Sequence, residues 1–220
     1  KEFFKDERYI KHNEKPLFLI YKPYLITCLG AMMSCWNRWA VEDGFQGLYV
    51  IGANADIDTV KQLDAVLNHE PQKSISRTEP KIEHGVVKYQ YEELWKTLLS
   101  EEDFGKKTYY GGFVGYDDTP RRGKGGTVVE GASPELFRKY FAKLIAKNDL
   151  AGNEYTFLNA WNEWGEGMYL EPDMENGYSY LEAVKEALQD DARDTEYQRE
   201  SDKNKNSALK AALDFYRKKA

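Results

Sequence analysis

The clearest hydrophobic runs along the chain are short and uninterrupted rather than alternating. Pro16-Leu-Phe-Leu-Ile-Tyr21 follows the turn formers Asn13 and Glu14 and predicts a strand buried on both faces, the kind that parallel sheets use. From Ala31 to Asp43, Met32, Cys35, Trp36, Trp39 and Ala40 recur at helical spacing and Gly44 supplies a stop, so a helix is expected. Gly47-Leu-Tyr-Val-Ile-Gly52 predicts a second apolar strand, and strand, helix, strand is the unit that makes a parallel pair. Asp58 to Leu67 has a helical pattern, 71–80 is polar and reads as a loop, and Tyr91 to Leu99 is an amphipathic helix. Lys107 to Val114 predicts a third strand, weakened by Gly111 and Gly112. Ser133 and Pro134 carry the N-cap and first-position signature of a helix that runs to Asn148. Glu154 to Trp161 predicts the fourth strand and Tyr178 to Gln189 a helix. A charged stretch, 190–206, then precedes a last helix over Ala208 to Lys218.

Four strands alternating with helices of this length describe an α/β fold, either half of a (β/α)8 TIM-type barrel or a small open sheet. Both folds place their sites at the carboxyl ends of the strands. Polar and aromatic residues crowd those positions: Lys22, Pro23 and Tyr24 after the first strand, Asn54 after the second, Tyr116, Asp117, Asp118 and Arg121 after the third, and Asn162, Glu163 and Glu166 after the fourth.

Composition narrows the partners. With 220 residues, 41% of them hydrophobic, the chain can bury a substantial core, and its net charge of −6 lacks the basic stripe that a nucleic acid requires. No run approaches the roughly 18 to 20 apolar residues of a membrane span. The first residues do not form a signal peptide, so a soluble, cytoplasmic protein is expected. Cys28 and Cys35 read as free thiols. The histidines His12, His69 and His84 are scattered without cysteine or acidic partners at ligand spacing, so no metal and no cofactor is expected.

The chemistry concentrates in Asn159-Ala-Trp-Asn-Glu-Trp-Gly-Glu-Gly167. Period two places Phe157, Asn159, Trp161 and Glu163 on one face of the strand, and Gly165 lets the chain turn before Glu166. Two carboxylates bracketing one turn suit glycosidic chemistry, which needs one group to protonate the leaving oxygen and another as base or nucleophile. Trp161 and Trp164 can exclude water or stack on a sugar ring. The alternative is a strand end that caps the next helix and pairs with an arginine. Gly115-Tyr-Asp-Asp-Thr-Pro-Arg-Arg-Gly123 is a second candidate, as a loop shaped by its own salt bridges or as one whose Asp117 and Arg121 reach substrate. Gly123-Lys-Gly-Gly-Thr127 lacks the spacing of a phosphate loop. Glu163, Glu166, Glu171 and Asp173 match no named metal loop.

The segment Asn159 to Asp173, together with Tyr116 to Gly123 and Pro16 to Pro23, resembles the WbsX-type proteins of bacterial cell-surface polysaccharide clusters. These are described as glycosyltransferase-like and are similar to glycoside hydrolase family 99, the endo-mannosidases. The resemblance implies an enzyme of O-antigen or lipopolysaccharide metabolism acting on an oligosaccharide or polysaccharide. It implies that Glu163 is the base that activates the sugar's own 2-hydroxyl and Glu166 the acid that protonates the leaving oxygen. Tyr21, Tyr24, Tyr116, Asp117, Asp118, Arg121, Asn159, Trp161, Asn162 and Trp164 would bind substrate. Glycine at 165 stands where the mannosidases commonly have histidine. Residues 1–189 would match the C-terminal half of the barrel, with 190–220 a charged segment and helix. The rest of the barrel would come from a missing N-terminal half or from self-association. Neither a Rossmann-type glycine fingerprint nor an Asp-x-Asp metal motif is expected, which turns the reading toward hydrolase-like chemistry. A sugar-binding module without turnover is the alternative.

Overall fold

The structure, a computed structural model, describes residues 2–56, 58–102, 105–190, 197–203 and 207. A short helix α1 (Glu2–Lys5) leads into a hairpin of β1 (Lys11–His12) and β2 (Lys15–Tyr21), turned by Asn13 and Glu14 at φ of 48° and 62°. Helix α2 (Leu29–Glu42) connects to β3 (Tyr49–Ala53), and β4 (Ala65–Asn68) follows. Then come α3 (Gln72–Ile75), the hairpin of β5 (Lys81–Glu83) and β6 (Val86–Gln90), and α4 (Tyr91–Ser100). Strand β7 (Thr108–Phe113), α5 (Thr119–Arg122), β8 (Thr127–Glu130) and α6 (Pro134–Leu150) precede β9 (Phe157–Asn159). A small hairpin of β10 (Asn162–Glu163) and β11 (Met168–Tyr169) and helix α7 (Ser179–Gln189) complete these elements. Residues 197–203 are helical, and the helix expected over Ala208 to Lys218 lies outside the described residues.

The main sheet has the order β1-β2-β3-β4-β7-β9, and β2, β3, β4, β7 and β9 all run parallel. The α/β class and the parallel half-barrel sheet are therefore as expected, with one strand more. That strand, β4, falls where a helix over 58–67 was expected. Ala65, Val66, Leu67 and Asn68 are buried on both faces, so they show no alternation. A four-residue apolar run of this kind is indistinguishable from a buried helix segment by periodicity. The polar loop expected over 71–80 contains α3. A second sheet, β5-β6-β8, also escaped the sequence reading, since its strands are short, partly exposed and held by ion pairs of Lys88 with Glu83 and Glu130.

Helix α2 covers the convex side of β2 and β3, with Leu29, Met33 and Ala40 packed around Ile20, Val50 and Leu63. Helices α4, α6 and α7 cover β7, and there Trp95 is fully buried, stacked on Phe113 at 5.3 Å and on Tyr140 at 5.8 Å. The concave side holds Tyr49, Ile51, Ala65, Leu67 and Tyr109, exposed by 7% or less. An open half-barrel would leave that side wet. The sheet instead curls until its edges meet: Tyr155 donates its hydroxyl to the Lys11 carbonyl at 3.2 Å, and His12 stacks on Tyr49 at 4.0 Å. Tyr49, Tyr109 and Glu154 extend this contact as a hydrogen-bonded chain, with separations of 3.1 and 3.0 Å.

The two glycines that weakened the third strand are required by packing on opposite faces. A Cβ at Gly111 would stand 2.6 Å from the Asn68 carbonyl oxygen, and one at Gly112 would stand 2.7 Å from Leu144 and 3.0 Å from Trp95. Replacing Gly112→Ala is expected to destabilise the fold by roughly 1–3 kcal/mol through overpacking, read from urea unfolding midpoints. Glu70, just past β4, is fully buried, and burial pushes its carboxyl up to about 8 from the ordinary 4.5 although the Ser74 N–H bonds it at 2.9 Å. Between those two pH values the folded chain keeps a proton that the unfolded chain releases. Stability from this group is thus complete at low pH and lost as pH rises through the folded value. Between pH 5 and 8 wild type is expected to lose on the order of 1–3 kcal/mol from this group that Glu70→Gln does not lose.

Candidate functional site

Several strand exits converge on one histidine. His69 is the first residue after β4, and Asn54, after β3 with φ of 49°, clamps its backbone at both ends. The Asn54 amide nitrogen donates to the His69 carbonyl at 3.1 Å while its oxygen accepts the His69 N–H at 2.8 Å. Tyr21, the last residue of β2, lies 5.3 Å from the imidazole, ring to ring. Asn159, the last residue of β9, places its amide nitrogen 3.1 Å from His69 Nε2 and donates to the Glu70 carbonyl. Burial holds the imidazole below its ordinary pKa, opposed by the Gln72 hydrogen bond and the Glu166 charge. Sequence reasoning passed over His69 because it weighed histidines only as metal ligands. Its signal, a polar residue directly after an apolar strand, was hidden once β4 was read as helix.

Strand β9 stops at Asn159, so the continuous face expected to carry Phe157, Asn159, Trp161 and Glu163 ends there. The Asn159–Ala160 peptide is cis. The Trp161 carbonyl then accepts from the Leu170 and Glu171 N–H groups, both at 3.0 Å. Asn162 and Glu163 pair with Tyr169 and Met168, and Trp164–Glu166 form a single 3-10 turn closed by Gly167. Glu163 is exposed and folds over this turn, its Oε1 lying 3.1 Å from where a Cβ on Gly165 would stand. It makes no ion pair among the described residues. Glu166 is more enclosed and accepts from Arg121 Nη2 at 2.8 Å. Trp164 stacks on Tyr169 at 3.6 Å and donates Nε1–H to Glu171 at 2.6 Å, which leaves one indole face open. Trp161, Tyr21 and Tyr24 are each about half exposed, and Asn162 is exposed.

The loop 115–123 packs against this hairpin. The Asp117 N–H donates to the Glu166 carbonyl at 2.7 Å, and Gly167, with φ of 57°, permits the approach. The Asp117 carboxylate accepts from the Thr119 N–H and hydroxyl at 2.9 and 2.6 Å. Asp118 is 1% exposed and accepts from the Thr127 N–H, the Tyr116 hydroxyl and the Arg122 guanidinium. Burial, then the charges of Glu166 and Asp118, push the Tyr116 hydroxyl up to about 12. Tyr116, Asp117 and Asp118 thus build the wall of the site, and Arg121 reaches from it to a candidate carboxylate.

Asp56 and Asp58 do have the Asp-x-Asp spacing, contrary to expectation, so that argument against sugar-nucleotide transfer falls. The Asp56 carboxylate accepts from the Thr59 N–H and hydroxyl, at 2.9 and 2.8 Å, and starts the turn after β3. Among the described residues no three His, Cys, Asp or Glu side chains gather closely enough to hold a metal ion. Two half-open hollows lie elsewhere. One of about 240 Å³ is lined by Phe18, Trp36, Trp39 and Phe45 under α2, and one of about 230 Å³ by Lys106, Thr108 and Asn153 near the start of β7.

A family model described as Glycosyltransferase WbsX matches residues 1–184. Two proteins of Xanthomonas campestris pv. campestris strains, both called uncharacterized protein WxcX, are 28% identical over 202 and 204 residues. Each match covers 84% of this chain, and the chain spans 28% of the length of these curated relatives. Among solved structures, the GH99 endo-alpha-mannosidase from Bacteroides thetaiotaomicron superposes with a TM-score of 0.53 at 16% identity, covering 89% of this chain and 58% of that one. A glycoside hydrolase-like protein gives 0.52 at 15% identity, covering 84% and 57%. At these identities the likeness is one of fold. No helix among the described residues is long and apolar enough to cross a membrane.

Gly167 carries the junction between hairpin and wall, since a Cβ there would stand 3.2 Å from the Asp117 nitrogen in a left-handed backbone. Gly167→Ala is expected to cost about 1–2 kcal/mol in urea unfolding. It should also redden tryptophan emission as the Trp164 turn loosens; an unchanged spectrum and midpoint would show that the junction tolerates a side chain.

Proposed function

The chain belongs to the WbsX glycosyltransferase family, and from that premise we propose that it carries the reaction centre of a carbohydrate-active enzyme of bacterial cell-surface polysaccharide metabolism. The centre cleaves or transfers a glycosidic bond with Glu163 and Glu166 as its acid-base pair. One observation carries the reading: at the exit of β9 a single tight turn presents two carboxylates of unlike surroundings. Glu163 is exposed and unpaired among the described residues, whereas Glu166 is enclosed and bound to Arg121. Glycosidic chemistry uses two carboxyl groups in two roles, one giving a proton to the leaving oxygen and one acting as base or nucleophile.

In this mechanism Glu163 accepts a proton from the attacking hydroxyl, the sugar's own 2-hydroxyl in the route the family resemblance implies, as that oxygen bonds the anomeric carbon, and returns it when water or an acceptor displaces that bond. Glu166 gives a proton to the departing oxygen and recovers one from the incoming water or acceptor hydroxyl. A carboxylic acid offers no charge for a guanidinium to hold, so the donor role requires Arg121 to disengage. Arg121 is 52% exposed, so a substrate oxygen can reach it and compete with Glu166. Trp161 and the open face of Trp164 supply the apolar surface on which a sugar ring stacks, and Tyr21 and Tyr24 extend it along β2.

A sugar-binding module without turnover is the second reading, favoured by the ion pair that neutralises Glu166. The two separate on substitution. In the full-length protein, with a panel of bacterial surface polysaccharides and α-linked mannose oligosaccharides, Glu163→Gln and Glu166→Gln should each lower release of reducing sugar by about 10²-fold or more. Binding should persist in both. Wild-type turnover retained in both variants excludes the assignment, and glycan-dependent thermal stabilisation without any product establishes the binding module instead.

A further inference from the structure

We propose that Glu171 is a positioning residue of this site: with Tyr169 it fixes the edge and one face of the Trp164 indole, so that the other face meets the C–H side of a sugar ring. The inference rests on the glycosidic reading and deepens it. It gives roles to two acidic residues, Glu171 and Asp173, that the acid-base pair leaves unused.

Trp164 opens the 3-10 turn between Glu163 and Glu166, so the direction of its indole decides where a ring can lie beside both carboxylates. An indole offers two faces and a single N–H. The Tyr169 ring covers one face, with 3.6 Å between centroids and 16° between planes. The N–H donates to Glu171 Oε2 at 2.6 Å, and a carboxylate is the stronger kind of acceptor. Trp164 is still 48% exposed, and what remains to solvent is the second face.

Both holders are held in turn. The Glu171 N–H donates to the Trp161 carbonyl at 3.0 Å, and Pro172 restricts the Glu171 backbone from the other side. Tyr169 pairs with Asn162 across the hairpin, and its hydroxyl donates to Asp173 Oδ2 at 3.0 Å. Asp173 also accepts from the Glu175 N–H at 2.9 Å, from the Asn176 N–H, and from the Asn176 amide at 3.2 Å. Alternate residues of an extended segment share a face. Tyr169, Glu171 and Asp173 accordingly act together on the indole, while Leu170 between them packs against the core.

This arrangement decides how Trp164 meets a ligand. An indole without these contacts would be ordered only when a sugar arrives, and the cost of that ordering would weaken binding. With its one donor committed to Glu171, the indole offers a sugar only its π face, whose negative charge distribution attracts C–H hydrogens. The ligand it selects is a pyranose with a contiguous C–H face at the ring beside the two glutamates. Recognition of single hydroxyls falls to other groups.

The contact is tested first without a ligand. In the ¹⁵N-labelled full chain the Trp164 indole N–H signal, identified by its loss in Trp164→Phe, should exchange slowly with solvent. Glu171→Ala should shift that signal and speed its exchange; Glu171→Gln, which keeps an acceptor, should do so much less. Glycans of the preceding panel should move the signal in wild type. In turnover, Glu171→Ala should raise KM about three- to tenfold with kcat within about twofold, and Glu171→Gln should recover most of the loss. Where the chain binds without turnover, the dissociation constant takes the place of KM. With Trp164→Ala already present, Glu171→Ala should add nothing, because it acts through the indole. An indole signal indifferent to Glu171→Ala, a signal that no glycan of the panel moves, or a loss undiminished in the Trp164→Ala background overturns the proposal. If the indole tests succeed while Glu163→Gln and Glu166→Gln keep full turnover, the acid-base assignment falls and the sugar platform stands.

Discussion

The site depends on the side-chain hydrogen bonds that tie the exits of β3, β4 and β9 together at His69. Strands β4 and β9 are not neighbours, because β7 runs between them. Asn159 nonetheless reaches the Glu70 carbonyl and the His69 ring. Gly111 makes room for this, since it leaves the concave surface of β7 without a side chain and lets the Asn68 backbone approach. Each contact is a polar group at the edge of an apolar interior, where an unmet donor is costly and a met one fixes geometry. The loops that carry the acidic residues start from these fixed points, so their placement is inherited from the sheet.

Below that layer the concave interior is apolar and tightly filled, and this is possible in so few strands because the sheet closes on itself. Tyr155 and Glu154, just before β9, reach Lys11 and His12 on the β1 hairpin. The contact covers Ile51, Ala65 and Tyr109, all at 0% exposure. A sheet of five parallel strands would otherwise expose one face and two edges to water. The short antiparallel β1 caps one of those edges. Carboxyl ends of the strands then form a rim that is polar where the floor is apolar, a division characteristic of strand-exit sites in α/β folds.

The sequence was legible where its elements were long or bounded by clear turn and cap residues. Runs such as Leu17 to Tyr21 and Tyr49 to Ile51 admit one reading, and α6 announces itself through Ser133, whose hydroxyl does accept the Leu136 N–H at 3.2 Å. It was illegible where burial removed the period. Ala65 to Asn68 lie in the middle of the sheet and show no alternation, and losing that strand also lost His69 and the clamp by Asn54. The segment with two glutamates was found from residue type and spacing. Its geometry was not, because local pairing of Asn162 and Glu163 with β11 overrides the period-two extension of β9. Asp117 and Asp118 show the same limit. Adjacent acids and bases in a loop do not reveal which carboxylate turns inward, and here both are consumed by Thr119, Thr127, Tyr116 and Arg122.

The ion pair of Arg121 with Glu166 gives the site an asymmetry that the pattern Glu-Trp-Gly-Glu does not contain. Two ionised carboxylates on one turn repel each other, and a guanidinium on one of them relieves the repulsion while leaving the other open to substrate. The pair is half in solvent, so it holds the resting arrangement at little energetic cost to a competitor. In the proposed mechanism a substrate oxygen that draws Arg121 away frees the Glu166 carboxylate when the sugar arrives, and the carboxylate then takes up the proton that it passes to the leaving oxygen. The wall that carries Arg121 is anchored by the buried Asp118, which bonds Arg122, the next residue. With Arg122 held by Asp118 and Arg121 held only by the partly exposed Glu166, such a movement is confined to a single side chain, and the geometry at His69 and Asn159 need not change with it.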